Sequence, residues 1–196
     1  MNLPNRLTLI RIILVPVFMA FALLPGSNVF RCVACGIFAL AAITDFFDGK
    51  IARGRNLITN FGKFLDPLAD KFMVFGSIIC FCASSNYWQD SELLHWGFII
   101  SGTVVIFREL AVTSIRLVAS GSSEHIVIAA SWLGKIKTFS QCIYILIVFL
   151  EPVIFSGAVV ETHTLTWVAM SVMTIMTVWS GVDYLKTYWS CLNPNE

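Results

Sequence analysis

Residues 45–53, with the sequence DFFDGKIAR, and residues 62–70, with the sequence GKFLDPLAD, carry four aspartates where two long apolar segments meet. Ionisable side chains in membrane-length helices are costly to bury and usually mark a functional site. Four acidic groups of one sign also require a compensating cation. We therefore expect the chemistry of this protein at the junction of these two segments, and the apolar stretches around them indicate the fold.

The composition indicates an integral membrane protein. Of the 196 residues, 57% are hydrophobic and 13% are charged, and the mean hydropathy is +0.80, whereas soluble domains are roughly 45–50% apolar. A helix that crosses about 30 Å of hydrocarbon needs roughly 20 residues. The sequence predicts six such spans, near residues 7–24, 30–50, 62–84, 94–118, 126–150 and 163–187. All connections are short, so we predict one all-α membrane-embedded domain over residues 1–196.

The basic residues predict how the spans are oriented, because the cytoplasmic loops of membrane proteins retain Lys and Arg. With the N-terminus in the cytoplasm, twelve of the thirteen Lys and Arg residues fall on or near the cytoplasmic side, and only Arg31 falls outside. We therefore predict six transmembrane helices with both termini cytoplasmic. Residues 2–8 also have the composition of a short N-terminal interfacial helix. A surface anchor and a contribution to the site both remain open for this segment.

The spacing of the aspartates points to bound metal ions. Asp45 and Asp48 are three residues apart, and Asp66 and Asp70 are four apart, so each pair projects from one face of a helix. Carboxylate oxygens suit hard cations such as Mg²⁺ or Mn²⁺. Four carboxylates are more than one Mg²⁺ usually takes, so two ions about 3.5–4 Å apart fit better. Such a pair suits phosphoryl chemistry, with Arg53 placed to neutralise charge. The alternative is a structural salt-bridge cluster at the bilayer edge.

From Asp45 through Asp70 the chain resembles the CDP-alcohol phosphatidyltransferase family. The family signature is D-x2-D-G-x2-A-R-x8-G-x3-D-x3-D, and all eight of its fixed positions are matched. The resemblance implies that a CDP-activated lipid gives its phosphatidyl group to an alcohol and releases CMP. It also implies a six-span membrane fold and makes a homodimer an expectation.

The resemblance further implies roles for single residues. Asp45, Asp48 and Asp66 would hold one divalent cation. The second cation would lie on Asp45, Asp66 and Asp70, and Asp70 would also take the hydroxyl proton of the acceptor. The residues implied for CDP binding are Thr8, Arg11, Gly49, Arg53 and Thr59.

A second basic group lies further along the chain and consists of Arg108, Arg116, Lys135 and Lys137. Four cations near a site that already handles the donor's phosphates predict an acceptor with its own phosphate, because Arg forks onto phosphate oxygens and Lys supplies point charge. The alternative is that these bases only set the topology of the spans.

The segments 2–8, 108–116 and 134–138 are similar to those of the bacterial family members that make phosphatidylglycerophosphate. This resemblance implies CDP-diacylglycerol as donor and sn-glycerol 3-phosphate as acceptor, within phosphatidylglycerol biosynthesis. The implied location is the bacterial cytoplasmic (inner) membrane, with the site facing the cytoplasm and membrane lipid around the spans. Serine, inositol and inositol phosphate remain alternative acceptors. A transporter is the competing class, although transporters usually hold such acids near the bilayer midplane.

Overall fold

The computed structural model of the chain describes residues 3–25, 28–54, 60–88, 91–121 and 132–189. Within these ranges the chain is all-α, as predicted, and contains no strand. Its helices are α1 (Leu3–Leu23), α2 (Asn28–Gly54), α3 (Asn60–Ala83), α4 (Glu92–Gly121), α5 (Trp132–Ile154), α6 (Ala158–Glu161) and α7 (Thr164–Thr187), with a 3₁₀ turn at Ser85–Tyr87 between α3 and α4.

Five helices in the described ranges, α1, α2, α4, α5 and α7, are long and apolar enough to cross a membrane. Helix α3 is 24 residues long, but its first half carries Lys63, Asp66, Asp70 and Lys71. Composition therefore does not mark α3 as a span, and the count of six stays a prediction that depends on this helix. The predicted fifth span started at residue 126, and its first six residues, 126–131, lie outside the described ranges.

Residues 3–8 do not form a separate interfacial helix, so that prediction is wrong. Helix α1 runs without a break from Leu3 to Leu23. Asn5, Thr8 and Arg11 are all buried, and their spacing of three places them close to one face of α1. These polar side chains are covered by neighbouring helices instead of lying on a membrane surface. One face of the start of α1 therefore lies in the interior of the protein, whereas Arg6, Leu9 and Ile10 are exposed.

The long helices pack as two groups of three. Helix α1 packs against α2 and α3, and α7 packs against α4 and α5. Contacts of α2 with α5 and of α3 with α4 join the two groups. Phe81 is central to the apolar core, with ring centroids 5.0 to 6.0 Å from those of Tyr87, Phe98, Tyr144 and Phe149. Each such aromatic pair adds about 0.5–1.5 kcal/mol beyond its burial, so this cluster stabilises one end of the bundle.

The other end of the bundle is polar and basic. The starts of α1, α3 and α5 meet the ends of α2, α4 and α7 there, as the contacts between them show. Of the twelve Lys and Arg residues in the described ranges, eleven lie in helix segments at this end and only Arg31 lies at the opposite end. This asymmetry is the one expected of a membrane protein whose polar end faces the cytoplasm.

Candidate active site

Three of the four predicted aspartates have described side chains, and all three contact α1. The Arg11 Nη1 donates hydrogen bonds to Oδ1 of Asp45 at 2.5 Å and to Oδ1 of Asp70 at 3.3 Å. The Thr8 hydroxyl donates to Oδ1 of Asp66 at 2.8 Å. Helix α1 therefore connects the end of α2 to the start of α3 through polar contacts.

The two sides of this cluster differ in exposure. The Arg11 side chain is fully buried, whereas the side chains of Asp45 and Asp70 are 46% and 49% exposed. A buried guanidinium needs charge partners, because leaving it uncompensated costs several kcal/mol, roughly 3–5 kcal/mol in measured cases. Each carboxylate therefore holds Arg11 on its inner side and keeps an outer side that a ligand can reach.

Several predicted residues fall outside this description. Helix α2 continues through Gly54, so Asp48, Gly49 and Arg53 lie on the same helix as Asp45. The side chains of these three residues are outside the described part of the chain, and so is the whole of Thr59. Their roles in metal and CDP binding stay predictions.

The chemistry of the described donors fits a divalent cation. Asp45, Asp66 and Asp70 offer carboxylate oxygens, the ligands that hard ions prefer, and the charge on Asp70 interacts with the other two. Among the described side chains, however, no three acidic, His or Cys groups converge as a ligand set, and Asp45 and Asp70 both contact Arg11. An ion would therefore bind on the exposed sides of these carboxylates, away from Arg11.

A second charged cluster joins α4 to α5. Oε1 of Glu109 accepts a hydrogen bond from Nη1 of Arg108 at 3.1 Å and another from Nζ of Lys137. All three side chains are largely buried. Lys137 is also close enough to Asp70 for their charges to interact. The second cluster therefore lies beside the aspartates.

Helix α7 completes this second cluster with two residues that the sequence reasoning missed. The Ser180 hydroxyl accepts a hydrogen bond from Nη2 of Arg108 at 2.6 Å. The Tyr184 hydroxyl accepts from Nε and Nη2 of Arg116 at 3.2 and 2.7 Å. A single Ser or Tyr is common in an apolar span, so neither residue alone predicts a function. The spacing of Ser180 and Tyr184, about one helical turn, was the one sequence signal that they share a polar face.

The structure does not bring all four predicted acceptor cations together. Lys135 is exposed and holds its ammonium 5.9 Å from the Trp132 ring centroid. It lies two positions from Lys137, and residues two apart on a helix do not face the same side. The Nε atom of Arg108 and the Nε2 atom of Gln141 are buried with no hydrogen-bond partner among the described residues. Buried donors are normally paired, so these two donors are available to a ligand at this end of the bundle.

The whole chain is similar to proteins of known family. The family described as CDP-alcohol phosphatidyltransferase matches residues 1–179. A Bacillus subtilis (strain 168) protein named CDP-diacylglycerol--glycerol-3-phosphate 3-phosphatidyltransferase is 38% identical over 206 residues, covering 100% of this chain and 99% of the relative.

Two further relatives agree with this match. A Mycobacterium tuberculosis (strain H37Rv) protein named probable phosphatidylglycerophosphate synthase is 38% identical over 186 residues, covering 94% of this chain and 80% of the relative. A Sodalis glossinidius (strain morsitans) protein with the same name as the Bacillus relative is 33% identical over 187 residues, covering 94% of this chain and 93% of the relative. This chain belongs to the CDP-alcohol phosphatidyltransferase family.

Proposed function

We propose that this protein transfers the phosphatidyl group of CDP-diacylglycerol to sn-glycerol 3-phosphate, giving phosphatidylglycerophosphate and CMP in phosphatidylglycerol biosynthesis. The relatives described above are named for this reaction or its product. The observation that carries the proposal is the buried cluster of Arg108, Glu109 and Lys137, which lies on helices that pack against those carrying the aspartates. One cluster suits the diphosphate of the donor, and the other suits the phosphate of the acceptor.

In the proposed reaction the 1-hydroxyl oxygen of glycerol 3-phosphate attacks the β-phosphorus of CDP-diacylglycerol. A new phosphorus–oxygen bond forms, the bond to the bridging oxygen breaks, and CMP leaves with the electron pair. The hydroxyl proton passes to Asp70. Asp70 is suited to this role because its carboxylate is half exposed and has the longer of the two contacts to Arg11. Positioning and charge neutralisation supply most of the rate.

The proposed metal ligands are the four aspartates of the motif. Asp45, Asp48 and Asp66 would hold one Mg²⁺ or Mn²⁺, and Asp45, Asp66 and Asp70 would hold the second. Bound ions supply positive charge to the phosphate oxygens. What supports this assignment is that Asp45 and Asp70 stay about half exposed while they share Arg11, so each keeps carboxylate surface that an ion could reach.

The proposed donor contacts line the same end of the bundle. Thr8 and Arg11 are buried on α1 and touch the aspartates. Gly49 and Arg53 lie in the last turns of α2, where they would reach the CDP moiety. Thr59 is proposed from the resemblance alone.

The proposed acceptor contacts are Arg108, Arg116 and Lys137. Arg108 has a buried Nε–H that no described residue accepts, and a phosphate oxygen would satisfy it. Gln141 lies one turn after Lys137 and is 2% exposed, and its free amide donor is a further candidate for the acceptor. Lys135 keeps a proposed role only in drawing anionic ligands toward the site, since it is exposed.

The same proposal sets the protein in its membrane. The polar end, with eleven of the twelve described Lys and Arg positions, would face the cytoplasm across the bacterial inner membrane, and α3 would be the sixth span. Both termini would then be cytoplasmic. The homodimer remains a prediction from the resemblance.

An acceptor assay tests the proposed function. Purified protein in detergent micelles receives CDP-diacylglycerol, Mg²⁺ and one acceptor at a time: glycerol 3-phosphate, serine, myo-inositol or inositol phosphate. We expect CMP release with glycerol 3-phosphate only. Release of CMP with serine or an inositol compound alone would contradict the assigned acceptor.

A matched pair of variants tests the acceptor site within this assay. Lys137→Met removes a buried cation that is paired with Glu109, and Lys135→Met removes an exposed one two positions away. We expect the KM for glycerol 3-phosphate to rise at least about tenfold in Lys137→Met, since a hydrogen bond to a charged group contributes about 1.5–3 kcal/mol. We expect a change below about threefold in Lys135→Met, because an exposed cation contributes little. Equal effects would argue against a phosphate site around Lys137.

A further inference from the structure

Helix α7 presents a face to α4 that is built around two arginines. Ser180 and Tyr184 lie one turn apart on α7 and are 0% and 2% exposed. Their oxygens accept hydrogen bonds from Arg108 and Arg116, respectively. Gly181 lies between them, and a Cβ atom at that position would be 3.1 Å from Cγ of Arg108. The aliphatic stem of Arg108 therefore packs directly against the backbone of α7.

The ring of Tyr184 contacts both arginines. The guanidinium carbons of Arg116 and Arg108 lie 5.3 and 6.0 Å from the centroid of this ring. Arginine stacks on aromatic faces with a defined orientation, whereas its free side chain has high rotamer entropy. Arg108 and Arg116 are eight residues apart on α4, so one ring on α7 fixes two groups that are two helical turns apart.

The chemical type of these partners is informative. A carboxylate would orient a guanidinium but would also neutralise it. Ser180 and Tyr184 are neutral, and no carboxylate in the described ranges forms an ion pair with Arg116. Helix α7 therefore sets the direction of these guanidinium groups and leaves the charge of Arg116 for an incoming anion.

We propose that Ser180, Gly181 and Tyr184 are positioning residues that fix Arg108 and Arg116 for the phosphate of the acceptor and so select a phosphate-bearing alcohol. The inference rests on the proposed function of the two arginines. The aspartate motif lies on α2 and α3. The inference adds three residues of α7 to those that determine acceptor specificity. The residues act through the arginines and do not touch the acceptor themselves.

The test measures the KM for each substrate in three variants. Tyr184→Phe removes the hydroxyl and keeps the ring, Ser180→Ala removes the hydroxyl that Arg108 contacts, and Gly181→Ala pushes the Arg108 stem outward. We expect the KM for glycerol 3-phosphate to rise about tenfold in Tyr184→Phe and Ser180→Ala, which corresponds to about 1.4 kcal/mol, and severalfold in Gly181→Ala. The KM for CDP-diacylglycerol should change less than about twofold. Ser180→Thr, which keeps a hydroxyl, should recover most of the loss seen in Ser180→Ala.

Thr177→Val is the matched control on the same helix. Thr177 is 0% exposed, and its hydroxyl contacts Met173 within α7 and no arginine. This variant removes a buried hydroxyl of α7 and should leave both KM values unchanged. A rise in the KM for glycerol 3-phosphate in Thr177→Val equal to that in Tyr184→Phe would assign the effect to helix packing and overturn the proposal.

Two further outcomes separate this inference from the proposed function. Arg116→Lys keeps the charge but loses the fork that Tyr184 orients. If Arg116→Lys raises the KM for glycerol 3-phosphate while Tyr184→Phe and Ser180→Ala do not, the acceptor site stands and the positioning role is wrong. If Arg116→Lys leaves that KM unchanged, the proposed role of Arg116 in acceptor binding is wrong, and the positioning role that depends on it is wrong as well. Should Tyr184→Phe not yield folded protein, Ser180→Ala and Gly181→Ala decide the question by the same criterion.

Discussion

Replacing Glu109 by Gln should destabilise the protein more than replacing either of its cationic partners alone. A single carboxylate oxygen of Glu109 holds both Arg108 and Lys137, and all three side chains are at most 14% exposed. Removing one partner of a buried ion pair costs about 3–5 kcal/mol, because the other charge stays buried. Some solvent access remains here, so we expect about 3 kcal/mol for Glu109→Gln, or roughly a hundredfold in the unfolding equilibrium.

Lys137→Met provides the comparison. In that variant Glu109 keeps Arg108, so the loss is that of one hydrogen bond between charged groups, about 1.5–3 kcal/mol. The double variant should lose less than the sum of the two single losses, since it removes both members of one pair. A loss of about 3 kcal/mol lowers the melting temperature of a chain of this size by roughly 6–12 °C.

Thermal unfolding in detergent micelles, followed by tryptophan fluorescence, measures these shifts. Adding inorganic phosphate supplies the negative charge that Glu109→Gln lacks, and a ligand at 100 times its Kd stabilises by about 2.7 kcal/mol. Phosphate should therefore raise the melting temperature more in Glu109→Gln than in the unmodified protein. Glu161→Gln, at an exposed position on α6, is the control and should leave the melting temperature unchanged. If Glu109→Gln melts no lower than Lys137→Met, or if phosphate raises both melting temperatures equally, the reasoning is refuted.

Three other predictions concern the aspartates and the far end of the bundle. Asp70→Asn should lower kcat by about 10²- to 10⁴-fold, the usual contribution of a general base, while the binding of CMP, measured by calorimetry, is largely retained; an unchanged kcat would remove the proposed base. Chelation of divalent ions should abolish CMP release, and Mg²⁺ or Mn²⁺ should restore it, because carboxylate oxygens prefer such ions; full activity in the chelator would contradict the metal assignment. Glu151→Ala should lower the melting temperature without changing the KM for glycerol 3-phosphate, since Glu151 accepts hydrogen bonds from the start of α7 far from the site; a raised KM would show that this end is coupled to catalysis.

The membrane character and most of the helices could be predicted from the sequence, because each depends on runs of about 20 apolar residues. The start of α1 could not, since residues 2–8 have a polar composition that fits a membrane surface as well as a buried site. What decides between the two is the partner of each polar side chain. Thr8 and Arg11 find theirs in Asp66 and Asp45, which lie 58 and 34 positions away.

The proposed acceptor cations also show what sequence reasoning could not predict. Charge alone placed Lys135 and Lys137 in one group, although on a helix they face different sides. The pairing of Lys137 with Glu109 and of Arg116 with Tyr184 crosses from one helix to another, and spacing within a helix does not encode which helices are neighbours. Neutral residues such as Ser180 and Tyr184 carry no charge signal, so their role emerges only from the packing of α7 against α4.

The two ends of this bundle also show how a structural acid differs from a candidate functional one. Glu151 is 1% exposed, and its two oxygens accept three hydrogen bonds, from the backbone N–H groups of Leu165 and Thr166 and from the Thr166 hydroxyl. The carboxylate thereby satisfies two of the free N–H groups at the start of α7, so it has little capacity left for a ligand. Asp45 and Asp70 share one guanidinium and stay about half exposed. A carboxylate that folding leaves incompletely paired can still bind a cation or accept a proton, and this remaining capacity, more than the presence of an acid in a span, supports the proposed site at the polar end of the protein.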